Sequence, residues 1–308
     1  FTAFMLALML MGVRTFSAQP NYDAPPKGLV VDRFLSDRDL AFADAQSPIR
    51  VDDTWFQLDK GERFFPENPG FSDDLAICRI FSSSGTTGVA KAIGHSGRTL
   101  AMQTMIRLSR DPLMMSGPSV SLMPVATIGG FNSVFYGLWG GYPVVLAGDP
   151  VQTLRAINLY GIRTMLASPA QLAALVGLLQ GSGARFPSLQ RIQVGGSVLP
   201  ASLAMRARVL LCSNIWNSYG ATETSGAATV ATGAILHRHP SAAGYVLPGV
   251  EVQIVDEHHQ PLPRGQEGMV RIRSPYLADG YMGDPQASQA AFVDGWFVPG
   301  DLGVLNEQ

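Results

Sequence analysis

The sequence predicts an α/β fold of layered, mostly parallel sheets flanked by helices, followed by a small β-barrel-like subdomain. Three observations carry that expectation. From residue 75 onward, apolar β-prone runs alternate with helix-like segments, with Gly-, Ser- and Pro-rich loops between them, the rhythm of strand–helix–strand crossovers. Asp149, Ser168 and Leu199 each precede a proline, and proline suits the first turn of a helix because its missing N–H is not needed there. After about residue 241 the helical signals fade and short strands with period-two alternation take over.

Taken in order, the chain opens with FTAFMLALMLMG. This run falls short of the ~20 residues that span a bilayer and no positively charged segment precedes it, so it reads as a buried helix rather than a signal peptide. The candidate strands that follow are 75–81, 120–125, 143–147, 162–167, 189–194 and 214–219. The intervening helices are expected at 97–109, 132–139, from 149–150, at 169–180 and at 200–211. Strands at 250–255 and 269–273 alternate apolar and polar residues between turn-rich pieces. The organisation expected is an α/β body over 1–240 and a β-rich subdomain over 241–308.

Composition excludes some function classes. The 308 residues are 46% hydrophobic and 15% charged, with a formal net charge of -2; a disordered chain or a basic nucleic-acid binder would look different. Cys78 and Cys212 sit in apolar surroundings without metal-type spacing and read as buried thiols of a reducing, cytoplasmic setting. His237 with His239, and His258 with His259, lie in polar stretches without further ligands nearby and read as solvated loops.

Three stretches carry candidate chemistry. FSSSGTTGVAK at 81–91 packs five hydroxyl side chains and two glycines between an apolar run and Lys91. It follows a strand candidate and precedes a helix candidate, where α/β proteins place ligands. Its amides, hydroxyls and lysine suit a polyphosphate, yet the spacing from Gly88 to Lys91 departs from the ordinary P-loop. Lysine occurs only at Lys27, Lys60 and Lys91, so its position here carries weight. In NSYGATET at 217–224, a carboxylate beside a hydroxyl at a strand end suits magnesium and phosphate, and Tyr219 offers a flat face for a purine. In GWFVPGDLG at 295–303, an aspartate in a glycine-flanked turn can accept two ribose hydroxyls. Gly195, Gly196 and Ser197 end another strand and admit close approach by a base.

In this order the three stretches resemble the nucleotide motifs of the adenylate-forming superfamily, which includes acyl- and aryl-CoA synthetases and peptide-synthetase adenylation domains. GGSVLP resembles its adenine-edge strand end, and SPYLADGYMGDP its Gly-Tyr turn. The resemblance implies ATP-dependent activation of a small-molecule carboxylic acid to an acyl-adenylate, with Mg²⁺, and transfer to a thiol, coenzyme A. The catalytic residues would be Lys91, Thr222 and Glu223. Ser84, Thr86, Thr87 and Lys91 would hold the β and γ phosphates, with Ser83, Gly85 and Gly88 completing that loop. Thr222 would contact the α-phosphate, Glu223 hold Mg²⁺, Tyr219 and Gly220 flank adenine beside Gly195, Gly196 and Ser197, and Asp301 bind ribose. Thr127, Gly220 and Ala221 would line the acid pocket. The glycine and alanine content of 126–132, 193–198 and 219–227 suggests an apolar acid.

Some positions depart from the family's pattern. Ala90 stands where proline is common, Pro299 replaces a hydroxyl residue, and Thr127 occupies the place of a histidine, so that His95 has no assigned role. The smaller C-terminal domain with its catalytic lysine is expected to be absent from this chain, which would be N-terminally clipped as well. The alternatives are an adenylation domain that loads a carrier protein and a nucleotide-binding remnant without turnover. Nucleic acid and a membrane span are not expected.

Overall fold

The computed structural model describes residues 2–18, 25–37, 48–56, 66–83, 90–111, 113 and 116–307. Helix α1 (Thr2–Leu10) is followed by β1 (Thr15–Phe16) and by two short parallel-paired strands, β2 (Leu35–Ser36) and β3 (Ile49–Arg50). β1 pairs in parallel with β4 (Ile77–Ser83), which turns back antiparallel onto β5 (Lys91–Ser96). β4 is covered on both faces: Cys78, Arg79, Ile80 and Phe81 are all buried. The Arg79 guanidinium donates through its two terminal nitrogens to Thr15 Oγ1 at 3.1 Å and Ser17 Oγ at 2.5 Å, leaves its Nε without a partner among the described residues, and rests over the Phe81 and Phe131 rings. Met5 of α1 joins Cys78, Phe81 and Phe131 in this cluster, but it is the only buried residue of the helix, and Ala3, Ala7 and Leu10 are exposed, so α1 lies on the surface by one face instead of being the buried helix that its composition predicts.

Helix α2 (Gly97–Arg110) starts where the Ser96 hydroxyl accepts from Thr99 N at 3.2 Å, a side-chain cap for an orphan amide. There follow β6 (Ser119–Ser121), α3 (Ile128–Gly140), β7 (Val144–Leu146), α4 (Pro150–Leu159), β8 (Thr164–Ala167), α5 (Pro169–Leu178), β9 (Arg191–Gly195), α6 (Ala201–Leu210), β10 (Ile215–Ala221), β11 (Gly226–Ala231), α7 (Gly233–Arg238) and β12 (Tyr245–Val246). The prolines act as expected at two starts: Asp149 Oδ1 accepts from Val151 N at 2.7 Å, and Ser168 and Gln171 form a reciprocal capping box. The strands make a seven-stranded sheet in the order β12-β11-β10-β9-β8-β6-β7. β7, β6, β8, β9 and β10 are parallel, and β11 and β12 are antiparallel additions.

Period two along these strands sorts the two faces. Met165, Ala167, Ile192, Val194 and Ile215 meet Leu172, Leu175 and Val176 of α5 and Leu203, Ala204 and Ala207 of α6 in the main core. The alternate residues Ser119, Thr164, Arg191 and Gln193 line a cleft with Gln103 and Arg107 of α2 and Asn132 and Tyr136 of α3.

The C-terminal part forms a second sheet from β13 (Glu251–Val255), β14 (Glu267–Arg273), β15 (Phe292–Val293), β16 (Trp296–Phe297) and β17 (Leu302–Val304), with helix α8 (Pro285–Ala291) before β15. Its order is β13-β14-β16-β15 with β17 also on β14, all antiparallel. The sheet is open rather than a closed barrel. Val250, Ile254, Val270, Ile272 and Tyr276 pack with Ala228 of β11, which seats this sheet on the large one. β12 still belongs to the large sheet, so the chain changes sheet between Val246 and Glu251.

Two local expectations are corrected. The segment after the 81–91 motif is a strand, β5, before the helix begins, so the motif spans a β-hairpin instead of a strand-to-helix turn. The reason is packing: Ala92, Ile93 and His95 are buried against the neighbouring elements, which outweighs the weak strand preference of KAIGHS. His237 falls in α7 and His239 caps it, rather than in a loop. Cys78 and Cys212 are buried, and burial pushes the Cys78 thiol up to about 11 and the Cys212 thiol above its ordinary value. Among the described residues no helix is long and apolar enough to cross a membrane.

Candidate active site

A cleft of about 960 Å³ opens at the C-terminal edge of the parallel strands and runs back between the sheet and α2 and α3, where open α/β sheets bind ligands. Its mouth is lined by Ser83 and Lys91 from the hairpin, Gly195 and Gly196 from the end of β9, Gly220 to Glu223 from the end of β10, Tyr281, and residues 297–301. Ser83 and Lys91 face each other across the hairpin. Gly196 has φ +86°, and Gly220 packs so closely on β11 that a Cβ would lie 2.1 Å from Gly226 O; each position requires glycine.

The turn joining β10 to β11 is held from three directions. Thr224 Oγ1 accepts from Ala221 N at 2.9 Å and donates to Gly226 O at 2.6 Å, closing the turn on itself. His95 Nε2 donates to Thr222 O at 2.8 Å, and its Nδ1 lies 3.1 Å from Ser225 Oγ. Since a carbonyl only accepts, the proton sits on Nε2, and burial lowers the His95 pKa to about 4, so the ring is neutral. Ser225, at φ +56°, is fully buried, and its hydroxyl donates to Tyr276 O at 2.6 Å. The Glu223 carbonyl accepts from Ala278 N at 2.8 Å.

These contacts aim a buried carboxylate at the cleft. Glu223 is 5% exposed, and its Oε1 accepts from the Tyr281 hydroxyl at 2.8 Å. Burial first and the Glu223 charge second hold the Tyr281 hydroxyl protonated well above its ordinary range. Lys91 Nζ lies 4.6 Å from the centre of the same Tyr281 ring, so lysine, tyrosine and glutamate form a chain across the mouth. On the rim, Asp301 Oδ2 accepts from the Tyr219 hydroxyl at 2.7 Å.

The residues singled out in the sequence divide accordingly. Ser83, Lys91, Thr127, Gly195, Gly196, Gly220, Ala221, Thr222, Glu223 and Asp301 all line the one cleft. Ser84, Gly85, Thr86, Thr87 and Gly88 lie outside the described residues. Ser197 is exposed and Tyr219 turns its ring toward the C-terminal sheet, neither lining the cleft, although the Tyr219 hydroxyl reaches Asp301. Thr127 also caps α3, its Oγ1 accepting from Gly130 N at 3.2 Å. Sequence reasoning assigned no role to His95, Ser225 and Tyr281. Tyr281 stands within the quoted Gly-Tyr turn, the signal that could have found it.

The mouth fits a nucleotide with magnesium. Glu223 has one oxygen taken by Tyr281 and Oε2 without a hydrogen bond among the described residues, and magnesium takes one or two carboxylates while keeping substrate phosphate and water oxygens. Lys91 supplies the matching positive charge. The side-chain-free edge at Gly195 and Gly196 leaves room for a flat base.

A parallel sheet bearing such a turn at its C-terminal edge, with Ser83 and Lys91 of the paired strands β4 and β5 on the same cleft, fits an adenylate-forming enzyme fold. The chain belongs to the AMP-binding enzyme family, whose profile matches residues 15–282. It is 29% identical over 91% of its length to indoleacetate–CoA ligase of Aromatoleum aromaticum, covering 57% of that protein. It is 29% identical over 79% of its length to the fatty acid–[acyl-carrier-protein] ligase ScoC of Streptomyces coeruleorubidus, covering 48% of it. Among solved structures, o-succinylbenzoate coenzyme A synthetase of Bacillus subtilis in complex with ATP and magnesium ion shares the fold, with a TM-score of 0.77 at 21% identity over 99% of this chain and 60% of that one. The chain thus spans about half the length of the curated relatives it matches.

Proposed function

We propose that the protein to which this chain belongs activates a carboxylic acid with ATP and passes the acyl group to the thiol of coenzyme A. In the first step a carboxylate oxygen attacks the α-phosphorus and the bond to pyrophosphate breaks, giving an acyl-adenylate. In the second the thiol sulfur, losing its proton, attacks the acyl carbon and AMP leaves. Such chemistry asks the protein for alignment and charge neutralisation more than for covalent help. The observation that carries the reading is the Thr222–Glu223 turn, braced by His95 and Tyr281 at the end of β10 and set across the cleft from Lys91.

In this reading Thr222 binds the α-phosphate, Glu223 holds magnesium, which neutralises phosphate charge when bound, and Lys91 stabilises the departing pyrophosphate with the hydroxyls of the hairpin. Asp301, oriented by Tyr219, takes the ribose hydroxyls, and the acid enters beside Thr127, Gly220 and Ala221. ATP and a thiol acceptor are what a cytoplasmic enzyme would use. A carrier-protein thiol as the acceptor is favoured by one observation, the likeness to a ligase named for an acyl carrier protein. The test is ATP–pyrophosphate exchange by the full-length protein with magnesium and a panel of acids. Acid-dependent exchange is expected; no exchange with any acid sinks the reading, and coenzyme A consumption then separates the two acceptors.

A further inference from the structure

The inner end of the cleft carries charge that the nucleotide chemistry leaves unused. On β9, Arg191 and Gln193 alternate with the core residues Ile192 and Val194, so both polar side chains face α2 and α3. Arg107 and Gln103 of α2 and Tyr136 of α3 complete the wall, with the Tyr136 hydroxyl donating to Gln103 Oε1 at 3.0 Å. Arg191 is balanced: its Nη1 lies 2.5 Å from Asp111 Oδ1 and its guanidinium 4.4 Å from the Trp216 ring centre. Arg107 is not balanced, for it joins no ion pair among the described residues. Arg107 Nε, Arg191 Nε and Gln193 Oε1 are buried without a hydrogen-bond partner among the described residues, and Gln193 is only 6% exposed. Leaving such groups unpaired is costly: the two arginine Nε–H groups are donors that call for an acceptor, whereas Gln193 Oε1 is itself an acceptor and calls for a donor.

We propose that the acid taken by this cleft is bifunctional, with a second carboxylate at its far end received by Arg107 beside Gln193 and Arg191. The proposal rests on the reading that the cleft activates a carboxylic acid, and it replaces the apolar acid expected from glycine and alanine content near the mouth. The strand register sets the length. Gly195 pairs with Ser218, two residues before Gly220 and four before Thr222, so the reacting carboxylate belongs just past the Gly195 end of β9. Gln193 and Arg191 lie two and four residues back along the same strand, about 7 and 13 Å at the usual rise. A second carboxylate at that depth neutralises Arg107, which has the Tyr136 hydroxyl beside it but no carboxylate partner among the described residues, whereas a methyl-ended tail of equal length would shut in a guanidinium without a counter-charge.

The experiment uses the full-length protein and linear dicarboxylates of about six to ten carbons, which cover that span, each against the monocarboxylate of equal length. Calorimetric binding is measured beside ATP–pyrophosphate exchange. Dicarboxylates are expected to bind on the order of 100-fold tighter, and Arg107→Met to abolish the preference while Arg107→Lys retains part of it. ATP affinity should not change in either variant. Equal binding of the two series, or a preference that survives Arg107→Met, overturns the proposal. If Arg107→Met does not fold, Arg107→Gln reads the same ratio, and an unchanged ratio counts against the proposal. A dicarboxylate preference in binding with no exchange for any acid upholds the inner site and sinks the proposed reaction instead, so the two failures are distinct.

Discussion

The Tyr219 hydroxyl and Asp301 Oδ2 stand 2.7 Å apart although 82 residues separate them in the chain. The bond ties the last parallel strand to the turn before β17, so the rim of the nucleotide mouth is fixed by a contact between the two sheets. Tyr219→Phe removes a charge-assisted hydrogen bond of about 1–2 kcal/mol. ATP should bind roughly tenfold more weakly, and Asp301→Asn should weaken it further; unchanged ATP affinity by calorimetry in both variants would remove Asp301 from the nucleotide site.

His95 predicts an acid limb of stability. Its pKa is about 4 in the folded protein against an ordinary 6.5. The depressed value means that the folded state resists protonation, so this contribution is complete above pH 6.5 and is lost as pH falls toward 4. The difference corresponds to about 3 kcal/mol. Thermal denaturation of wild type and His95→Gln across that window should show the wild type losing stability more steeply. Parallel curves would mean that the ring is protonated in the fold.

Tyr281 orients the carboxylate assigned to magnesium. Removing a partner that orients a metal ligand commonly costs 10–100-fold in metal affinity. Tyr281→Phe is therefore expected to raise the half-saturating magnesium concentration for exchange by about tenfold, and Glu223→Gln by more. A Tyr281→Phe enzyme with an unshifted magnesium curve, and Lys91→Ala with unshifted pyrophosphate exchange, would dismantle the chain across the mouth.

Gly220 admits no side chain. A methyl group there would meet Gly226 O at 2.1 Å and Ala227 Cα at 2.7 Å, both backbone atoms that cannot step aside. Gly220→Ala should destabilise the protein by about 3 kcal/mol, at the upper end of overpacking penalties. Denaturant unfolding checks this, and a loss below about 1 kcal/mol would show that β10 and β11 can separate locally.

Much of the architecture is legible in the sequence because strands and helices there announce themselves separately: apolar β-prone runs, proline at helix starts, Asp149 and Ser168 as caps. Elements whose burial comes from neighbours are hidden. KAIGHS and GAATVA have little strand character of their own, yet they become β5 and β11 by pairing with β4 and β10. The outer site residues Thr222, Glu223 and Asp301 are visible as motifs. Their supports are not, since His95 reaches Thr222 across 127 residues and Tyr281 reaches Glu223 across 58. The polar inner wall was present as alternation in RIQVG, but a strand read only as buried conceals which face its arginine and glutamine occupy.

The bracing of the Thr222–Glu223 turn also sets a timetable. One brace, His95, precedes the turn in the chain, but Tyr276, Ala278 and Tyr281 follow the turn by some fifty residues or more. A growing chain that has completed all five parallel strands still has Glu223 unanchored, and contacts so distant in sequence form late. The geometry of this turn is therefore complete only once the chain has been made through Tyr281.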